Sequence, residues 1–113
     1  MVGQIKRTRG QAAYRRAADA ALKLPVNTVL PAISGDAVEG ETLTCSNGTW
    51  TNTPDAYAFQ WNREGTAIAG AANTRVLTAD DVGSTLTCTV TATNLGVSSS
   101  ATSAPTAVVV EAE

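Results

Sequence analysis

The stretch Leu86-Thr87-Cys88-Thr89-Val90-Thr91-Ala92-Thr93-Asn94 alternates apolar and hydroxyl side chains with a period of two. Such alternation marks a strand with one face on a core and the other toward water. Leu86, Cys88, Val90 and Ala92 therefore point inward together. Upstream, Leu43 and Cys45 share one face of a short strand, and Asn47-Gly48 makes the turn that follows it. Tyr57, Phe59 and Trp61 alternate along a further strand, which puts three of the chain's five aromatics on one side as the expected core layer. Arg63-Glu64-Gly65-Thr66 reads as the next turn. Cys45 and Cys88 are 43 positions apart, with Trp61 16 after the first. Cys45, Trp61 and Cys88 fall on the apolar phase of their strands and are expected together in the core.

Downstream, Asn94-Leu95-Gly96 is a turn into the last strand. Its Ala107–Val110 segment is apolar enough to pair and close a sheet edge, so truncating Val108–Val110 is expected to destabilise the domain. Past Pro25 threonine and valine are frequent, turn residues recur about every 8 to 12 positions, and helical periodicity is absent. The fold class expected from these patterns is mainly β, a β-sandwich over residues 26–113.

Residues 1–25 differ in texture. Arg9–Lys23 is rich in alanine, arginine, glutamine and leucine, all good helix formers, and Pro25 ends the run. A short basic N-terminal α-helical arm is therefore expected ahead of the sandwich. On a helical wheel Arg9, Arg16 and Lys23 fall along one line, and Tyr14, Ala17, Ala18 and Ala21 gather on another side. Lys6, Arg7, Arg9, Arg15, Arg16 and Lys23 against Asp19 give residues 1–23 a charge of +5, while the remainder carries −7. A lone helix this short is marginal in water and orders against a partner. Lys6, Arg7, Arg9, Tyr14, Arg15 and Arg16 are accordingly the expected docking residues, with arginines suited to acidic grooves or phosphate. Nucleic-acid binding through Lys6-Arg7-Thr8-Arg9 is a weak signal, since no glycine-rich or zinc framework accompanies it.

The chain has 113 residues, which suits one domain and an appendage. It contains no histidine and two cysteines, which excludes the usual zinc sites and catalysis resting on imidazole. No nucleophile with a base, no cofactor site and no metal site is read from it. The first 25 residues hold basic groups throughout and lack the apolar run of a secretory signal, so synthesis in the cytoplasm is expected. No stretch approaches the roughly 20 apolar residues of a membrane span.

The runs Leu43–Trp50, Phe59–Gly65, Ile68–Ala71, Ala79–Gly83 and Leu86–Asn94 together resemble bacterial and phage Ig-like domains over about residues 31–110. The resemblance implies an immunoglobulin-like β-sandwich and a role in adhesion or display. Modules similar to it are appended to phage capsid, head-fibre and tail proteins and to bacterial surface proteins, and they are not enzymes. It also brings in the intersheet disulfide of such sandwiches. Cys45 and Cys88 either stay reduced as small core groups or oxidise outside the cell, where closing the loop would add about 4 kcal/mol on the chain-entropy model. Leu86 stands where a tyrosine corner would be, so that corner's hydrogen bond is replaced or absent.

Three candidate sites remain. Asp80-Asp81 is an adjacent carboxylate pair, read as a turn held by side-chain hydrogen bonds rather than as a calcium site. Trp50 reads either as packing over a sandwich edge or, if partly exposed beside Thr49, Thr51 and Asn52, as a ligand surface that stacks on a sugar ring. Arg63 and Glu64 read as solvated turn charges. The function expected is a non-enzymatic phage virion structural or accessory protein: capsid decoration, head fibre, or head–tail component. Its partners would be capsid, portal or tail proteins held through the arm, further copies in the particle, and host-surface glycans met by weak, multivalent contacts. The alternative is a bacterial cell-surface adhesion or glycan-binding module.

Overall fold

A computed structural model describes residues 24–113. The helix expected over Arg9–Lys23 lies outside the described residues, as do Lys6, Arg7, Arg9, Tyr14, Arg15 and Arg16. Among the described residues the elements run β1 (Asn27–Val29), β2 (Ile33–Ser34), β3 (Thr42–Cys45), β4 (Thr49–Trp50), β5 (Ala56–Arg63), β6 (Thr66–Ala67), β7 (Thr74–Val76), a 3₁₀ turn (Ala79–Asp81), β8 (Leu86–Asn94) and β9 (Val97–Thr102). They form a four-stranded sheet in the order β6-β5-β8-β9, a three-stranded sheet β2-β3-β7, and a two-stranded ribbon β1-β4. All these strand pairs are antiparallel. The long strands are those with sustained alternation and abundant threonine, which suits a pleated, half-buried surface.

β8 carries the alternation seen in the sequence: Leu86, Cys88, Val90 and Ala92 are fully buried. Trp61 on β5 lies directly opposite Cys88, so the two side chains share a face. Leu43 and Cys45 on β3 bury against them from the other sheet, and Leu77, Trp50 and Val109 complete one cluster. The indole N–H of Trp61 donates to the carbonyl of Ala72 at 2.8 Å, so the buried ring leaves no polar atom unpaired. The expected aromatic layer is shorter than its pattern: Trp61 is buried, Phe59 is half-buried, and Tyr57 is 37% exposed. β5 has eight residues, whereas the strands of the facing sheet have two to four.

The C-terminal segment also differs from expectation. β9 ends at Thr102, and Ala107–Val110 does not continue it as a regular strand. Pro105 supplies no N–H for a ladder. On either side of it the hydroxyls of Ser103 and Thr106 accept from the backbone N–H groups of Cys88 and Leu86, both at 3.0 Å. Val109 then drops into the core, while Val108 and Val110 stay half-exposed and Val110 bridges Val38 in parallel. Removing Val108–Val110 therefore strips a core side chain together with its backbone bonds to Gly83 and Ser84.

Pro25 is fully buried, and its carbonyl accepts from the hydroxyl of Ser99, so it belongs to the packing of the sandwich. Gly48 has φ +74, and a Cβ there would lie 2.4 Å from the carbonyl oxygen of Val29, so the turn after β3 admits no side chain. Two-residue loops join β5 to β6 through Glu64-Gly65 and β8 to β9 through Leu95-Gly96, with positive φ at all four positions. Asn-Gly is the preferred sequence for such loops; Leu95, at φ 51 and 66% exposed, is held in a region that costs a bulky residue about 1 kcal/mol or more. Leu95→Asn is expected to raise unfolding stability by about 1 kcal/mol in urea titration. A midpoint at or below that of the parent would show that the turn is not strained at this residue.

Candidate functional site

Cys45 and Cys88 are free, buried thiols that face each other across the two sheets beside Trp61. Burial pushes both thiols up, and Cys88, which also hydrogen-bonds to Cys45, is pushed up to about 12. The Cys45 thiol donates to the carbonyl of Ser46 at 3.3 Å. Both sulfurs are therefore protonated at neutral pH and shielded from solvent, the opposite of what a nucleophilic cysteine needs.

The strongest polar constellation centres on Asp81, which is fully buried although charged. Arg75 grips both carboxylate oxygens through one nitrogen at 3.0 Å each, and Arg63 donates to Oδ1 at 3.0 Å. The backbone N–H of Thr78 adds a bond of 2.9 Å to Oδ2. Burial by itself would raise the carboxyl's pKa, but the Thr78 N–H and the two guanidinium groups outweigh it and hold the pKa below the usual value. Asp81 in this way ties the 3₁₀ turn to β5 and β7. The local side-chain bond expected for Asp80-Asp81 is present, but Arg63 is not the solvated turn charge expected. Glu64 is likewise engaged, accepting from the backbone N–H of Thr85 at 2.9 Å. Arg63 and Arg75 are the only basic residues after Lys23, and both serve this one carboxylate. That scarcity was the available sequence signal for the triad.

Trp50 is buried at 8% exposure, and its indole N–H donates to the carbonyl of Asn47 at 2.7 Å. The partly exposed stacking surface considered for it is corrected accordingly: β4 pairs with β1 and the ring joins the core cluster. The loops at its end of the molecule are knitted together, Asn94 donating to the carbonyl of Asn52 and Asp55 accepting from the backbone N–H of Leu95. Asn52 donates in turn to the carbonyl of Leu24, which is therefore held beside these loops.

An open groove of about 420 Å³ runs between Val29–Ile33 and Ala104–Thr106. Its walls are mainly aliphatic and proline side chains with no titratable group, so it offers no acid–base chemistry. Among the described residues no three carboxylate or thiol groups converge as a metal site, and no helix is long and apolar enough to cross a membrane.

Compared with known proteins, residues 25–110 match the profile of the immunoglobulin domain. No curated protein and no solved structure matches the chain.

Two outcomes test this chemistry. Asp81→Ala strands two arginines and is expected to cost about 3 kcal/mol in denaturant unfolding. The stabilisation from Asp81 should be complete above the unfolded carboxyl value near 3.9 and disappear as pH falls through its lower folded value, so Asp81→Asn should flatten acid destabilisation below about pH 4. For the thiols the sign is reversed. Their stabilisation is full below the ordinary thiol value near 8.5 and falls as pH rises toward about 12 for Cys88. A Cys88→Ala variant should lose less stability than the parent between those limits, and native thiols should resist alkylation until the chain unfolds.

Proposed function

The chain belongs to the immunoglobulin domain family, and from that premise we propose a non-enzymatic structural or accessory protein of a phage virion. In this reading residues 1–23 dock on capsid, portal or tail proteins, and the sandwich, to which the buried Pro25 belongs, is presented outward for weak adhesion to host-surface glycans. The observation that carries it is polarity: residues 1–23 bear +5 and the rest of the chain −7. A basic segment suits an acidic or phosphate-bearing dock, and an acidic sandwich is repelled from that same dock and held away from it. A particle repeats the docking site many times, so individually weak glycan contacts add by avidity.

The non-catalytic part of the reading is supported by what the candidate groups are already doing. Both thiols are protonated and buried, Asp81 is occupied by its donors, and the chain has no histidine. One observation favours a bacterial cell-surface adhesion module instead: Cys45 and Cys88 adjoin in the core, a placement suited to an oxidising compartment.

Mass spectrometry of purified virions is expected to find the chain, and deletion of residues 1–23 to leave a folded sandwich that no longer enters particles. Amide exchange should show residues 1–24 protected in the particle and unprotected in the isolated protein. Virions that lack the chain, together with its cleavage by protease added to intact producing cells, would overturn this reading in favour of the cell-surface module.

A further inference from the structure

The inward phase of β8 turns Thr87, Thr89, Thr91 and Thr93 to the outer face of the four-stranded sheet, where they are half-exposed. On β9 the exposed positions are Ser98, Ser100 and Thr102. The register sets them opposite one another, and their hydroxyls pair at 2.8 Å (Thr89 with Thr102), 2.7 Å (Thr91 with Ser100) and 2.8 Å (Thr93 with Ser98). On the other flank the amide of Asn62 donates to the hydroxyls of Thr87 and Thr89 at 3.2 Å each. Ala56 and Ala58 lie opposite Thr93 and Thr91 and keep that part of the face low. The outward positions of β5, β8 and β9 contain no charged side chain.

We propose that this hydroxyl face is a docking surface for neutral polysaccharide, an inference that rests on the adhesive display reading above and gives it a site. Two paired hydroxyls hold two protons and four lone pairs and use one of each, leaving one donor and three acceptors for a ligand in the Thr91–Ser100 and Thr93–Ser98 pairs. Thr89–Thr102 keeps one acceptor fewer, because Asn62 also donates there. Rows recur about every 6.8 Å along the strands, so a sugar chain lying along them meets repeated donors and acceptors. Mutual pairing and six consecutive ladder positions between β8 and β9 hold the rotors before binding, which lowers the ordering cost. Charge selects the ligand class. An uncharged face on a sandwich carrying −7 disfavours anionic glycans and nucleic acid and tolerates neutral sugars. Placement favours this face over the loops: Leu24, the attachment point of the preceding residues, bonds Asn52 beside the loops at that end, so a tether at Leu24 leaves the sheet face free of it.

Affinity electrophoresis of the full chain through gels containing dextran or yeast mannan tests the assignment. The parent should be retarded by at least one of these polymers. The double variant Thr91→Val, Ser100→Ala keeps the shape and loses both hydroxyls, and it should bind about tenfold more weakly with an unchanged melting temperature. Thr44→Val, on the outer face of the other sheet, should bind like the parent. Equal retardation of the double variant and the parent would overturn the site while leaving adhesion standing. Retardation of the parent by neither polymer would overturn the site, and a screen of host-cell envelopes showing no binding would overturn adhesion as well. Concentration-dependent dimers lost in the double variant would show that the face pairs copies of the chain instead.

Discussion

The pairing of Trp61 with Cys88 across the β5–β8 ladder sets the phase of everything around it. Side chains alternate along a strand, so a slip of one residue would exchange both faces of the sheet. Holding an indole and a thiol inward commits Leu86, Val90 and Ala92 to the core and the intervening threonines to the outside. The core and the hydroxyl face are two consequences of one register. The second sheet then needs to supply only small and aliphatic groups at Leu43 and Cys45 to close over the indole.

Where the core reaches the end of the sandwich, an electrostatic clamp takes over. Leu86 fills its site with hydrocarbon and brings no hydroxyl to pin the neighbouring loop, while its backbone N–H bonds to the Thr106 hydroxyl. Asp81 does the pinning, drawing Arg63 from β5 and Arg75 from β7 onto the 3₁₀ turn. A buried charge is stable only when its remaining lone pairs are satisfied, and the Thr78 N–H completes the set. Each basic side chain of the sandwich is spent in this clamp, which leaves its other carboxylates unopposed and makes the surface acidic.

That acidity contrasts with the N-terminal residues 1–23, which carry +5 against −7 for the rest of the chain. Leu24, where those residues meet the sandwich in sequence, lies beside the loops of one end. Among the described residues, the β5–β8 and β8–β9 ladders form the longest run of regular pairing, and their outer face is uncharged.

The sequence by itself determined the strand phases, because alternation at Leu86–Asn94 and the positions of Cys45, Trp61 and Cys88 are local or additive features of the chain. It also determined the turns at Arg63–Thr66 and Asn94–Gly96, where glycine permits a left-handed backbone. Threonines at alternate positions were legible too, but which serines would answer them was not. Only the tertiary structure decided that Trp50 is a core residue, that Tyr57 stays partly exposed while Ala92 opposite it is buried, and that Arg63 leaves solvent for Asp81. These outcomes depend on what packs over each face and on which charges converge from separate strands. Desolvation and ion pairing act through space between residues distant in sequence, and no local pattern encodes that distance.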